Sequence, residues 1–474
     1  MKKEINIVPV PNELKLKSGV FTLDSGTVVE NTTGVADGLG VFIKDFAGIK
    51  SGKKSKTIKL ELSGKNVCAE AYSLKISEGS VIINASAPAG IFYGVQTLKQ
   101  IIADAAGKKT VNLPCLEIKD KPRFEWRGFM LDSSRHFQSV EFIKRLIDAL
   151  ALCKINRLHW HFIDNQSWRF KSVKYPQLAK FTRGISNDEG CYTVKQVKDI
   201  ISYAAERFMV VYPELEMPGH SQVTLSIMPD LKCSNISGNT IAREYCLGLP
   251  AAEKFHKDMI KEVADIFPSP YIHIGGDEAS DANWKFCPRC IAAMKKKKIE
   301  STAVFQKDFM ERMSDFVRSS GKTPVAWAEK LSLGIPEGQL VQGWHEGESL
   351  EAAQKGFSTI NSEHSFVYFD YPQSGKEHKA WWMPQLPVEK TYSFDPVPSG
   401  LSAKQQKLVI GSEACIWTED IPESEVFSRT FPRMWAFAET VWSDKKQLDF
   451  KSFKKRVSAQ ASIFEKSGND FFKG

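Results

Sequence analysis

No apolar stretch in the 474-residue chain approaches the ~20 residues a membrane-spanning helix needs, so none is expected. Charge of one sign is also lacking: 64 Lys and Arg stand against 56 Asp and Glu, a net charge of +8. The one dense basic run, Lys295 to Lys298, has no aromatic residues interleaved with it. It reads as a solvated helix face, and no nucleic-acid partner is expected. No glycine-rich phosphate turn is present; the single Gly-Gly pair, Gly275-Gly276, leads into Asp-Glu, which argues against a dinucleotide site. The start, Met-Lys-Lys-Glu-Ile-Asn-Ile-Val, lacks the apolar core of a signal peptide. The expectation is a cytoplasmic protein, or a secreted or periplasmic one whose leader has been removed. With 42% apolar and 25% charged residues, the bias of disordered or collagen-like chains is missing too. Nine cysteines are an odd number and cannot all be paired. What the chain does have is tryptophan, 11 residues, each a flat apolar face with one polar edge.

Residues 1–118 read as a small supporting α+β domain. Alternating runs such as Thr57–Leu62 and Ser80–Asn84 precede one helix, Gly90 to Ala103. Residues 119–474 have a different texture, in which strand-like and helical runs alternate. The strand candidates are Arg127–Asp132, Arg157–Asp164, Met209–Glu216, Tyr271–Glu278, Pro324–Glu329, Leu340–Glu346, Phe366–Asp370 and Leu408–Trp417. Helical periodicity lies between many of them, as in Ile143, Leu146, Ile147 and Leu150, or Phe305, Phe309, Met313 and Phe316. Eight strands with intervening helices predict an α/β fold, a (β/α)8 TIM barrel.

In such a barrel the C-terminal strand ends form the active site. Here each strand begins apolar and ends polar or aromatic. The ends supply Asp132 and Arg135, Asp164, then Glu214, Glu216 and His220, then Asp277 and Glu278. The later ends supply Trp327, Trp344, Tyr368 with Asp370, and Trp417 with Glu419. Carboxylates, one arginine and aromatic rings suit a sugar. Pyranose C–H faces stack on rings, and hydroxyls take bonds from carboxylates and guanidinium. The acetal leaving oxygen needs a proton donor, so one carboxyl must stay protonated near neutral pH. Asp277 and Glu278 end an apolar strand, where burial and a neighbouring carboxylate both raise an acid's pKa. On consecutive positions they are expected to point in different directions, so they cannot flank one glycosidic bond as acid and nucleophile.

With these residues in place, the chain resembles the β-N-acetylhexosaminidases, glycoside hydrolase family 20, over nearly its whole length. The resemblance is carried by Arg127–His136, Leu158–Asp164, Pro213–His220, His273–Glu278, Tyr368–Asp370 and Gly411–Glu419. It implies substrate-assisted catalysis, in which the 2-acetamido oxygen attacks the anomeric carbon and gives an oxazolinium intermediate that water opens with retention. By the same resemblance Glu278 is the general acid and base, Asp277 orients the acetamido N–H, and Tyr368 donates to the acetamido oxygen. Trp327, Trp344 and Trp417 wall the sugar, Arg135, Glu419 and Asp370 hold its hydroxyls, and Asp164 with His220 positions Glu278. The implied partner is a glycan or chitooligosaccharide with a terminal non-reducing β-linked N-acetylhexosamine, and no cofactor is required for catalysis. Asn165 stands where a second Asp is frequent, and Glu216 where Asp is frequent.

Three other readings stay open at this level. One is a family member that releases a disaccharide, as lacto-N-biosidases do; one is a non-catalytic glycan-binding barrel, which the presence of Glu278 disfavours. The third is a metal-dependent barrel enzyme, disfavoured by the Trp-rich strand ends. The stretch Lys379–Pro384, with Trp381 and Trp382, is a candidate pocket rim or mere packing. Cys287-Pro-Arg-Cys290, together with Cys233 and Cys246, could hold a structural zinc; a Cys233–Cys246 disulfide or free thiols are the alternatives.

Overall fold

The computed structural model describes residues 5–35, 38–47, 56–63, 68–106, 111–180, 188–234, 244–329, 331–375, 377, 380 and 382–473. The N-terminal unit is a six-stranded sheet built from β1 (Glu13–Leu23), β2 (Thr27–Asn31), β3 (Lys56–Leu62), β4 (Tyr72–Ile76), β5 (Ser80–Ala85) and β6 (Val111–Asp120). Its strand order is β1-β6-β4-β5-β3-β2. The long helix Pro88–Ala105 packs on it with Gly90 and Gly94 facing the strands. A Cβ at Gly90 would lie 2.3 Å from the Ala71 carbonyl oxygen, so only glycine lets the helix come this close. A second helix, Leu39–Ala47, was not anticipated; Leu39 and Ile43 supply its buried edge.

The rest of the described chain is a closed barrel of eight parallel strands. They are β7 (Trp126–Asp132), β8 (Arg157–His161), β9 (Val210–Glu214), β10 (Tyr271–His273), β11 (Thr323–Trp327), β12 (Leu340–Gly343), β13 (Thr359–Asn361) and β14 (Val409–Ile416). All seven residues of β7 are buried, as befits a strand covered on both faces. The helix Val140–Leu152 after β7 starts at Ser139, whose hydroxyl caps the Phe142 N–H, and it buries Ile143, Leu146, Ile147 and Leu150.

One strand was misplaced. The run Phe366–Asp370 is not the seventh strand; Thr359–Asn361 is, and His364–Val367 forms a short helix above it. Thr-Ile-Asn carries one apolar side chain, whereas Val367 and Phe369 are fully buried in the main hydrophobic core. A short apolar run cannot by itself separate a strand from other buried backbone. The fourth strand is also shorter than its apolar run, ending at His273.

Buried charge ties the two units together. Arg127 in β7 makes a two-pronged pair with Glu70 at 2.7 and 2.9 Å. Lys154 meets Asp120 at 3.0 Å, and the Trp442 indole N–H donates to the same carboxylate at 3.0 Å. Each buried ion thus has a partner, without which its burial would be costly.

Candidate active site

The β7 end is organised by Asp132, fully buried. Its carboxylate accepts from the backbone N–H groups of Ser134 (2.8 Å), Arg135 (3.2 Å) and Thr418 (3.0 Å). The turn this creates aims Arg135 across the barrel mouth. Its guanidinium meets Asp132 at 3.1 Å, Asp164 at 2.7 Å and Glu419 at 3.5 Å, and lies 5.1 Å from the centre of the Trp417 ring.

The β10 end turns sharply. Gly275 and Gly276 take φ of 61° and 107°, and Glu278 takes 46°. A Cβ at Gly275 would fall 2.1 Å from Glu216 Oε2, so this glycine is required on two counts. The turn corrects the expected divergence of the two acids, which assumed extended backbone through Glu278. Asp277 and Glu278 instead converge on one imidazole nitrogen, His220 Nε2, at 3.5 and 3.6 Å. Both therefore stand on one side of the cavity, with no gap between them for a sugar ring. Their exposure differs: the Glu278 side chain is 62% exposed and that of Asp277 is 11%. Of the pair, only Asp277 is buried, and its neighbours are the ionisable groups His220, Glu216 and Glu278.

His220 Nδ1 is held by Asp164 at 3.0 Å, and Asp164 also meets the His161 ring at 3.0 Å. Asn165, just after it, accepts from the Gln222 N–H at 3.2 Å and lies 3.4 Å from the His220 ring. Burial pulls the His220 pKa down, but Asp164 and Asp277 outweigh it and hold the imidazole well above its ordinary value. Burial pushes Asp164 up, but Arg135 and His220 outweigh it and keep Asp164 ionised. At Glu216 the balance is reversed: burial, then the charges of Asp277 and Glu214, outweigh His220 and His161 and hold its carboxyl well above the usual range.

The aromatic wall comes from β11, β12 and β14. The Trp327 indole N–H donates to Glu214 at 2.7 Å, and Glu214 also binds His273 (2.7 Å), His159 (3.1 Å) and His161. The Trp417 and Tyr368 rings lie 6.2 Å apart, tilted by 55°. The Trp344 and Tyr368 rings lie parallel, 6.4 Å apart. Five buried polar atoms around the cavity have no hydrogen-bond partner among the described residues: Glu216 Oε2, His220 Nε2, Asp277 Oδ1, Trp344 Nε1 and Asp370 Oδ1. Unpaired buried polar atoms are costly, and their convergence marks a place where a polar ligand supplies the partners.

Asp370 faces Glu419. Burial, then the Glu419 charge, pushes the Asp370 pKa up to about 8. A folded-state pKa above the unfolded one means the folded chain binds the extra proton. Stability from this group is complete below about pH 4 and is lost as pH rises towards 8. Asp370→Asn should therefore raise the melting temperature, by more at pH 8 than at pH 5. The extra gain is on the order of 3–4 kcal/mol, while sugar binding weakens. Thermal unfolding at the two pH values measures this; a gain independent of pH would show that the carboxyl is not held neutral.

The cavity enclosed by these groups measures about 350 Å3. Arg135, Asp164, His220, Asp277, Glu278, Trp327, Trp344, Tyr368, Asp370, Trp417 and Glu419 all line it. So do Glu216, Tyr371, Asp420 and, from the candidate rim Lys379–Pro384, Ala380, Trp382 and Met383; the sequence does not mark Tyr371 and Asp420. Trp382 is 54% exposed and meets the Tyr371 ring edge-on at 5.9 Å. Lys379 and Trp381 lie outside the described residues. Trp126, Trp160, Trp168, Trp284, Trp435 and Trp442 are buried packing residues.

Comparison with known proteins adds independent evidence. Residues 124–445 match the family model described as glycosyl hydrolase family 20, catalytic domain, and residues 4–121 that described as glycosyl hydrolase family 20, domain 2. A beta-hexosaminidase of Porphyromonas gingivalis is 33% identical across 96% of this chain, which spans 62% of that protein's length. A beta-N-acetylhexosaminidase of Cellulomonas fimi is 29% identical, with 98% of this chain and 95% of that one covered. Among solved structures, an exo beta-N-acetylglucosaminidase of Vibrio harveyi in complex with N-acetylglucosamine superposes with a TM-score of 0.90 at 28% identity. The match covers 99% of this chain and 78% of that one. The Streptomyces coelicolor beta-N-acetylhexosaminidase gives 0.86 at 29% identity, covering 99% and 98%. Sheet domain, closed barrel, paired acids under one histidine and matched sequence lead to one assignment: the chain belongs to glycosyl hydrolase family 20.

Proposed function

We propose that the protein is a retaining exo-β-N-acetylhexosaminidase that removes a terminal non-reducing β-linked GlcNAc or GalNAc by substrate-assisted catalysis. The observation that carries this reading is the placement of Asp277 and Glu278 on one side of the cavity beneath His220, facing an aromatic wall. Two carboxylates so placed cannot act across the anomeric carbon as acid and nucleophile, so the nucleophile is the substrate's own acetamido oxygen.

In the first step that oxygen bonds to the anomeric carbon while the glycosidic C–O bond breaks, and Glu278 gives its proton to the leaving oxygen. Asp277 accepts from the acetamido N–H and balances the positive charge that grows on the ring. Tyr368 donates to the acetamido oxygen, aligning it for attack. Water then adds to the anomeric carbon, Glu278 takes its proton, and the acetamido group is restored. The largely exposed Glu278 is desolvated by the sugar that it protonates. Arg135, Asp370 and Glu419 bind the hydroxyls at the far end, and Trp327, Trp344 and Trp417 hold the apolar face and the acetyl methyl.

A volume of about 350 Å3 sits near the low end of small-molecule pockets, about 300–1,000 Å3, and suits one pyranose with its acetamido arm. That favours release of a monosaccharide over a disaccharide. The reading predicts release of p-nitrophenol from β-GlcNAc or β-GalNAc glycosides, with the β-anomer of the free sugar appearing first by proton NMR. A β-linked disaccharide glycoside should be inert until its outer sugar is removed. Failure on both monosaccharide substrates, or an α-anomer first, would overturn it.

A further inference from the structure

Beside the acid-bearing turn lies a cluster of four cysteines that takes no part in the reaction above. Cys233 and Cys246 stand on the segment after β9, whereas Cys287 caps the helix Pro288–Lys297 and Cys290 lies in its first turn. All four are buried, three of them completely. One sulfur of each lies within 4.8 Å of all the others. The closest separations are 3.6 Å (Cys246–Cys290), 3.7 Å (Cys246–Cys287) and 3.8 Å (Cys233–Cys290).

We propose that Cys233, Cys246, Cys287 and Cys290 bind one zinc ion as a closed tetrathiolate site. Four sulfurs at about 2.3 Å from a tetrahedral zinc lie about 3.8 Å apart along each edge, the spacing found here. The Cys246 sulfur is equally close to Cys287 and Cys290, so no disulfide partner is singled out. The surroundings suit thiolates. Cys287 and Cys290 sit at a helix N-terminus. A Cβ at Gly248 would lie 2.3 Å from the Arg289 carbonyl oxygen, so glycine lets the two segments close around the cluster. Binding displaces the thiol protons to solvent, and with no open coordination position the ion is structural.

The site would join two segments that already share contacts close to the acids. Glu244 accepts from the Ser280 N–H at 3.1 Å, two residues beyond Glu278, and the Trp284 indole donates to the Tyr245 carbonyl at 2.9 Å. The metal proposal itself rests on no particular reading of the reaction, and its test reads metal, not turnover.

Protein purified under reducing conditions should contain one equivalent of zinc by elemental mass spectrometry. Exchange with cobalt(II) should give thiolate-to-metal charge transfer and tetrahedral ligand-field absorption. Cys290→Ser should reduce the bound metal to near zero, while Cys68→Ser, away from the cluster, keeps it. Should Cys290→Ser fail to fold, the wild-type chain alone decides. Denatured with chelator and no reductant, it should show all nine thiols, whereas a disulfide would leave seven or fewer. Seven or fewer thiols, or a reduced folded chain that takes up neither zinc nor cobalt(II) stoichiometrically, overturns the proposal.

Discussion

Glu278→Gln is expected to lower kcat by about 10^2–10^4-fold, the usual range for losing a positioned general acid, with KM nearly unchanged. The amide keeps the size of the side chain but has no proton to give. The ground-state complex loses little, because the Glu278 side chain is 62% exposed and its near contact is His220 at 3.6 Å. The fold should also be spared, since no buried partner is stranded. The size of the loss should follow the leaving group. A sugar or alkyl aglycone, whose oxygen must be protonated as it departs, should show the full effect. A dinitrophenyl aglycone, a stable anion, should react at close to the wild-type rate in its first step. Steady-state kinetics on such a series measures this. An equal loss for every leaving group would mean that Glu278 acts on water or on structure, and would remove it as the acid.

The acid was easy to read because chemistry-bearing residues at strand ends stand out against apolar strands. Asp132, Asp164, Glu214, Asp277 and Trp327 each follow or close such a run, and the barrel brings those runs to one mouth. The seventh strand was hidden because its three buried residues, Thr359, Ile360 and Asn361, carry no run at all. The convergence of Asp277 and Glu278 was hidden for a different reason. It depends on positive φ at Gly275, Gly276 and Glu278, and alternation along a strand cannot foresee where a strand stops. A further set is legible in the strands themselves. Glu413 lies inside β14 and His159 inside β8, charged residues where only apolar ones are affordable. Glu413 accepts from His159 (2.8 Å), the Tyr212 hydroxyl (2.7 Å) and Gln342 (3.0 Å), and His159 links it to Glu214 and so to Trp327. A charged residue in the middle of a barrel strand signals a buried partner, and here that partnership supports the floor of the sugar pocket.

Asp277→Asn should lower kcat by about 10^2–10^3-fold, the range seen when one preorganised group is lost from a charge-stabilising site. Asparagine can still accept from the acetamido N–H through its carbonyl oxygen, so binding and orientation largely survive. What it removes is the negative charge. Two unit charges about 4 Å apart at an effective dielectric of about 20 interact by about 4 kcal/mol, an upper bound that matches this loss. The charge in question is waiting for a partner. Asp277 is buried, its Oδ1 has no hydrogen-bond partner among the described residues, and His220 meets Oδ2 at 3.5 Å. The ring that forms when the acetamido oxygen attacks carries positive charge beside that carboxylate, so the interaction strengthens in the transition state. Replacing the acetamido methyl hydrogens one by one with fluorine weakens the oxygen as a nucleophile. Wild-type rates should therefore fall steeply along the series, and Asp277→Ala, which loses orientation as well as charge, should fall below Asp277→Asn on every member. A wild-type rate insensitive to fluorination would show that the acetamido oxygen does not attack. The role assigned to Asp277 would fall with it, because a carboxylate that balances an oxazolinium has no work when no oxazolinium forms.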